Sequence, residues 1–123
     1  MANSVPFKLI TPTKVVFDGE AELVIAVTTE GEEGILPSHA PFLAALKPGV
    51  VRANVVVSGK PQRLELATRA GFMQALPDRV TILVDEALAF DDVDVAKTRD
   101  ELARATEPAE IDFANAKLRL TGH

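Results

Sequence analysis

The chain has no cysteine, no tryptophan and no tyrosine, and only six phenylalanines among its 123 residues. Without cysteine there is no disulfide framework, no thiol nucleophile and no thiolate metal site. Two histidines, His39 and His123, offer no metal-ligand spacing. No stretch approaches the ~18 apolar residues of a membrane-spanning helix, so direct membrane insertion is not expected. Positive charge is also short: 13 Lys and Arg against 18 Asp and Glu leave a net charge of −5 and a pI near 5.0. Nucleic-acid binders carry a basic stripe, and this balance argues against both nucleic acid and anionic lipid as partners. The opening Met1-Ala2-Asn3-Ser4 shows neither a signal-peptide pattern nor an Arg-rich transit pattern. An ordinary soluble cytoplasmic protein is expected, associated with a membrane only through a partner. Trp, Tyr and Arg supply most interface hot spots. An interface here must therefore rest on aliphatic patches, backbone pairing and charge, which suits a permanent assembly subunit.

What is present divides unequally. The hydrophobic fraction of 47% is ample for a packed core. Seven of eight prolines and six of seven glycines precede Leu88, and Ala, Asp, Glu, Lys and Arg dominate after it. Turn-rich sequence thus gives way to helix-favouring sequence. The predicted division is residues 1–87 as a β-sandwich and residues 88–123 as an antiparallel helical hairpin. In the first part, Phe7–Ile10, Lys14–Phe17 and Glu22–Thr29 read as strands, the last two separated by an Asp18-Gly19 turn. Val50–Val57 and Gln62–Thr68 read as a hairpin around Ser58-Gly59-Lys60-Pro61, and Gly71–Leu76 and Arg79–Asp85 as another across Pro77-Asp78. Short strands with regular turn signals point to an antiparallel sandwich, with Val51, Leu66, Phe72, Ile82 and Val84 in its core. In the second part, Asp91 or Asp92 is the expected cap of a helix from Val93 to about Ala105, with a thin stripe of Val95, Thr98, Leu102 and Ala105. Thr106-Glu107-Pro108 stops and restarts the chain. A second helix follows from about Ala109 to Leu120, with Ile111, Ala114 and Leu118 on one side and Phe113 nearby. Helices of ~12 residues are marginal alone in water, so the hairpin must lean on the sandwich or on a partner.

No catalytic site can be assembled. Ser38 and His39 are adjacent, but a triad needs an Asp from elsewhere and an oxyanion hole. His39 is better read as a loop hydrogen-bonding or interface residue, and the terminal His123 as disordered. Glu30-Gly31-Glu32-Glu33-Gly34 lacks the spacing of a calcium loop and reads as a solvated loop. Gly31 and Gly34 are not followed by the Lys-Ser or Lys-Thr of a phosphate loop. No catalytic residue, metal site or cofactor is expected. The unusual segment is Gly34-Ile35-Leu36-Pro37-Ser38-His39-Ala40-Pro41-Phe42-Leu43. Two prolines remove backbone freedom in advance of binding. They make it either a rigid crossover or a preformed protein-docking loop.

This segment, extended to Glu32-Glu33 before it and Ala45-Leu46-Lys47-Pro48-Gly49 after it, resembles the signature of the ATP synthase epsilon subunit family. Thr11-Pro12 with Val15-Val16-Phe17-Asp18-Gly19, Ala70-Gly71-Phe72, Val80–Ala87, Asp92-Val93-Asp94 and Ile111-Asp112-Phe113 match in collinear order. The resemblance implies an N-terminal sandwich and a C-terminal two-helix hairpin. It implies a non-catalytic rotor subunit that binds the gamma subunit and the c ring, on the cytoplasmic face of the bacterial inner membrane. It places the c-ring contact in the loop containing Glu32, Gly34, Ile35, Leu36, Pro37, Ser38, His39, Ala40 and Pro41, with Glu32 favoured for direct contact. In many relatives the hairpin also reaches the alpha/beta catalytic head and inhibits hydrolysis, and a transient contact of that kind is implied here. Some relatives hold ATP through Ile/Leu-Asp-x-x-Arg-Ala. The matching stretch keeps Asp94 but has Lys97 and Thr98 in place of Arg and Ala, and Asn115 where a second Arg is common. Lys lacks the planar fork of Arg, so Asp94 and Lys97 imply at most weak ATP binding. The rival readings are a nucleotide sensor, favoured by Asp94, and a small sandwich enzyme with an unfamiliar site. The chain stops at His123, where many relatives continue, and its tail carries eight acidic residues against Lys97, Arg99, Arg104, Lys117 and Arg119. Weak inhibition is the expectation.

Overall fold

Residues 3–123 are described by a computed structural model. In β1, β7, β8 and the second half of β2, buried residues alternate with more exposed ones, so one face of each is turned to the core. The strands are β1 (Val5–Ile10), β2 (Val15–Thr28), β3 (Gly31–Ile35), β4 (Phe42–Leu46), β5 (Gly49–Val57), β6 (Lys60–Thr68), β7 (Gly71–Leu76), β8 (Arg79–Val84) and β9 (Ala87–Leu88). A 3-10 turn at Phe90–Asp92 leads to α1 (Val95–Arg104) and α2 (Pro108–Leu120). The chain thus runs from a strand-built part into a two-helix C-terminal part, as its composition implies.

The pairings run β1-β8-β7-β4-β2-β5-β6-β9, with β3 on β2 and β1 also on β2. β2 is the hinge of this arrangement. Its first half pairs with β1, and its second half with β3 and β5. A register shift between Ala21 and Leu23 marks where it changes layer, as a bulge bends and twists a strand. One core fills the space between the layers. Phe7, Leu9, Met73, Val80, Ile82 and Val84 come from one side, and Val24, Ile35, Val51, Ala53, Val55 and Leu66 from the other. Neighbouring strands are antiparallel except β1 and β8, which run parallel in the register Phe7↔Val80 to Ile10↔Leu83.

Several local expectations are corrected. Asp18-Gly19 is no turn: it lies inside β2, opposite Lys8 and Phe7. Glycine is used there for room, because a Cβ at Gly19 would sit 3.0 Å from Cζ of Phe17. The Phe17 ring lies against Phe7 at 5.6 Å. Phe72 is not in the core but 58% exposed. In β7 the inward residues are Met73 and Ala75, and a period of two puts Phe72 on the other face. Gly71 beside it is obligatory, since a Cβ there would meet the Leu83 carbonyl oxygen at 2.0 Å. The β5–β6 turn is tighter than expected, with only Ser58 and Gly59 in it, at φ 53° and 76°. Positive φ at both central residues is the two-residue hairpin geometry that matches strand twist. Glu30–Gly34 is not a loop either, because β3 begins at Gly31 and pairs along β2. Its two glutamates suit a short edge strand, which charge protects from further pairing. β4, Phe42–Leu46, adds a strand to those that the residue pattern predicts.

In the helical part, α1 is capped by Asp94 rather than Asp91 or Asp92. Asp94 Oδ1 accepts from the Lys97 N–H at 3.0 Å. Asp92 instead closes the 3-10 turn by accepting from the Ala89 N–H at 3.0 Å. Extended Val93 separates the two caps. His123 is not loose. Its N–H donates to the Leu118 carbonyl at 2.8 Å, Gly122 donates to Arg119 at 3.1 Å, and Gly122 has φ 82°. This is a Schellman stop, for which glycine is the preferred residue.

α2 seals the hairpin to the sandwich. Phe113 and Ala116 pack on Val50 of β5 and Ala67 of β6. The Phe113 ring is flanked by the Arg69 guanidinium at 4.3 Å and Lys117 Nζ at 4.7 Å. Arg69 in turn holds Glu86 at 2.9 Å and Glu110 at 2.8 Å, and Lys117 holds Glu101 of α1 at 2.9 Å. Burial opposes the charge on Arg69. Its hydrogen bonds to Glu86 and Glu110 outweigh that and raise its pKa above the ordinary guanidinium value. Burying a Phe is worth about 1.5–3 kcal/mol, against ~0–1 kcal/mol for an exposed ion pair. Phe113 therefore carries the joint, and the charges orient it.

Ile82 tests the core. It is 0% exposed between the layers, so Ile82→Ala should cost about 2–5 kcal/mol in equilibrium denaturant unfolding. A loss under ~1 kcal/mol would mean that the two layers do not close on it.

Candidate docking surface

The residues 32–41 form two structures rather than one loop. Glu32, Glu33, Gly34 and Ile35 belong to β3, and Ile35 is buried in the core. Strand alternation leaves Glu32 on the outer face, opposite Val27. Leu36 to Pro41 then crosses to β4. Within the crossing, the His39 N–H donates to the Leu36 carbonyl at 3.2 Å. Pro37 and Ser38 are the central residues of that turn, and Ser38 has φ 67°. Pro at the first corner and positive φ at the second define a type II turn. Gly or Asn normally takes the second corner, so Ser38 is held there under strain of ~1–2 kcal/mol. His39 Nδ1 donates to the Ala40 carbonyl at 2.6 Å, and its ring lies edge-on to Phe42 at 5.9 Å. Leu36, at the start of the turn, is 60% exposed. The crossing is thus a braced knuckle with an apolar tip.

Two features of the surface escaped the sequence reading. The first is Arg52 of β5, whose Nη2 donates to Glu32 Oε2 at 2.6 Å. Its alternation with buried Val51 and Ala53 marks it as outward-facing, but not what it meets. The second is an apolar patch on the outer face of β4, β7 and β8. Phe72 lies directly between Ala45 and Leu83 across the strands. Leu43, two residues from Ala45, shares that face. Leu43, Phe72 and Leu83 are 71%, 58% and 44% exposed. Single exposed apolar residues are ordinary, whereas a contiguous group marks a contact surface.

Asp94 and Lys97 are brought to the rim of one cleft of about 240 Å³, between the start of α1, α2 and the sandwich. Arg69, Lys117, Glu86, Asp92 and Glu101 line it too. The Asp94 carboxylate is engaged as a helix cap, and Lys117 and Arg69 are engaged by glutamates. Among the described residues no group of three or more His, Asp or Glu is placed to hold a metal ion. No helix among them is long and apolar enough to cross a membrane.

Residues 4–90 match the family of the ATP synthase delta/epsilon chain, beta-sandwich domain. The chain belongs to this family. Members are non-catalytic stalk subunits of the ATP synthase complex. The ATP synthase epsilon chain of Xanthomonas oryzae pv. oryzae is 39% identical over 118 residues, which covers 92% of this chain and 82% of that one. The epsilon chain of Desulforamulus reducens is 38% identical, covering 98% and 92%. That of Chromobacterium violaceum is 38% identical, covering 83% and 71%. The fold recurs in a chain of the Euglena gracilis mitochondrial ATP synthase, in a structure of OSCP, F1 and c-ring. There the TM-score is 0.67 at 18% identity, over 99% of this chain and 79% of that one. It recurs again in the central stalk and c-ring structure from Tetrahymena thermophila, with TM-score 0.62 at 18% identity, over 96% and 93%.

Proposed function

We propose that this chain is the rotor subunit that joins the central stalk to the c ring in a bacterial F-type ATP synthase. It turns with the stalk and couples proton translocation to ATP synthesis without catalysing a reaction itself. It sits peripherally on the cytoplasmic face of the inner membrane. A gripping sandwich, whose last strand β9 ends at Leu88, is then followed by a regulatory hairpin. The observation that carries the reading is the braced knuckle at Leu36–Pro41, held under strain beside a charged edge strand. Strain of that kind persists where a contact geometry must be kept. Glu32, Gly34, Ile35, Leu36, Pro37, Ser38, His39, Ala40 and Pro41 form the c-ring side of this proposal, with Glu32 as the charged contact. The Leu43–Phe72–Leu83 patch, on a different face, is the side offered to the gamma subunit.

Two variants in one co-purification experiment separate the faces. Glu32→Lys should leave the gamma subunit bound and weaken the c-ring link, with coupled ATP synthesis in reconstituted membranes falling several-fold. Phe72→Asp should instead release the gamma subunit. Full coupling with Glu32→Lys and with substitutions at His39 would remove the β3 end from the ring contact.

The hairpin is proposed to rest folded down and to make only transient, weakly inhibitory contact with the alpha/beta head. Phe113, Arg69 and Lys117 hold it closed, and Gly122 ends α2. Its acidic balance gains little from an anionic surface. Deleting residues 91–123 should therefore change ATP hydrolysis by the assembled enzyme by less than ~2-fold, a barrier change under ~0.5 kcal/mol. A several-fold rise with the complex intact would show a true brake.

The same cleft argues against a nucleotide sensor. Asp94 and Lys97 are proposed to bind ATP weakly or not at all, because Asp94 is taken up as the α1 cap and two of the cleft's three cations, Arg69 and Lys117, are already held by glutamates. Calorimetry of the isolated chain in millimolar ATP should show no saturable heat. Saturation in the low micromolar range would reverse this reading.

A further inference from the structure

Glu32 and Arg52 stand on the two strands that flank β2, and their side chains meet across its outer face. Two strand spacings separate β3 from β5, roughly 9.5 Å. The pair must therefore lie flat along the sheet, and the Glu32 carboxylate is drawn inward, away from the free edge of β3. Inward lies the end of the hairpin. Arg119 and Leu120, from the last turn of α2, line one cleft of about 240 Å³ with Glu32, Arg52, Glu65 and Val27. Around this cleft the charges alternate in sign. Glu65 is shared with Arg63 at 3.6 Å, whereas Arg119 makes no ion pair among the described residues. Arg119 thus depends on the cleft's summed potential, to which Glu32 and Glu65 contribute attraction and Arg52 repulsion.

We infer that Glu32 is energetically coupled to the last turn of α2 through this cleft, so that the carboxylate on the docking strand also helps to hold the hairpin down. Neutralising Glu32 leaves Glu65 as the one carboxylate in the cleft against Arg52 and Arg119, and the helix end loosens. Neutralising Arg52 has the opposite sign, because Glu32 is then free to attract Arg119. Coupling between two sites is reciprocal. On the reading that Glu32 meets the c ring, a cationic group there that claims the carboxylate weakens the hold on α2. A displaced hairpin in turn changes how firmly Glu32 is bound. The stalk contact and the regulatory hairpin would then sense each other without any intervening conformational pathway.

The test uses the isolated full chain at low salt and reads amide hydrogen exchange residue by residue. Glu32→Gln should speed exchange at the α2 amides of Leu118 to Thr121 by about 2–5-fold, the size expected of an exposed charge pair. Arg52→Gln should slow it. In the Glu32→Gln, Arg119→Gln double variant the Glu32 effect should vanish, and ~0.5 M salt should erase it in the parent, since screening acts within ~4–5 Å there. The β1 and β8 core amides report global stability and should not move. Unchanged α2 exchange in Glu32→Gln, equal acceleration of the core amides, acceleration by Arg52→Gln, or independent effects of Glu32 and Arg119 would each overturn the coupling. Ring binding is not involved in this measurement. Failure here leaves the c-ring contact standing, and failure of Glu32→Lys to weaken ring co-purification leaves the coupling standing.

Discussion

The two layers of the sandwich hang from one strand. β2 is hydrogen-bonded to β1 in its first half and to β3 and β5 in its second, and it touches β4 at Thr28. The bend between Ala21 and Leu23 lets one segment serve both layers. The docking strand inherits its position from this. Among the described residues β3 pairs with β2 alone, so Glu32 stands where β2 puts it. The knuckle at Leu36–Pro41 only has to bridge from β3 to β4, and its ends are set by Ile35 in the core and Phe42 packed against it. A short, strained turn is tolerable between anchors of that kind.

The helical joint follows a different logic. Its apolar contact is small, essentially Phe113 and Ala116 on Val50 and Ala67. Charged groups then crowd round the one aromatic ring. Arg69 is fixed by two carboxylates from different segments, Glu86 before the helices and Glu110 within α2. Neither the sandwich nor the hairpin owns this site alone. That makes the joint sensitive to its electrostatic surroundings in a way that the core between the layers is not.

Much of this was legible in the residues. Strand and helix territories followed from Pro, Gly and the alternation of side chains, and Val51, Leu66, Ile82 and Val84 are buried as expected. What failed failed for physical reasons. Asp18-Gly19 has the chemistry of a turn, but Phe17 needs the space over Gly19. Phe72 is the bulkiest residue of its strand, and size suggested the core, yet Met73 and Ala75 have the inward parity. Glu32 and Glu33 read as loop because charge is rare in strands, though it is well placed on an edge. Arg52 shows the deeper limit. Its outward face could be inferred from Val51 and Ala53, but its partner is 20 residues earlier in the chain, and nothing local encodes that meeting.

The parallel pairing of β1 with β8 has a consequence in time rather than in space. Phe7 and Leu9 find their places beside Val80 and Ile82, so the first strand made must wait for almost the last. At the ~5–20 residues per second of synthesis, that wait is roughly 4–15 seconds. Until then Val5, Phe7 and Leu9 have only the β2 hairpin to cover them. One edge of that ribbon stays open, and one of its faces is apolar. Lys8, facing outward between Phe7 and Leu9, leaves a charge in the middle of the exposed segment, the kind of interruption that discourages a nascent strand from pairing with its neighbours on the ribosome.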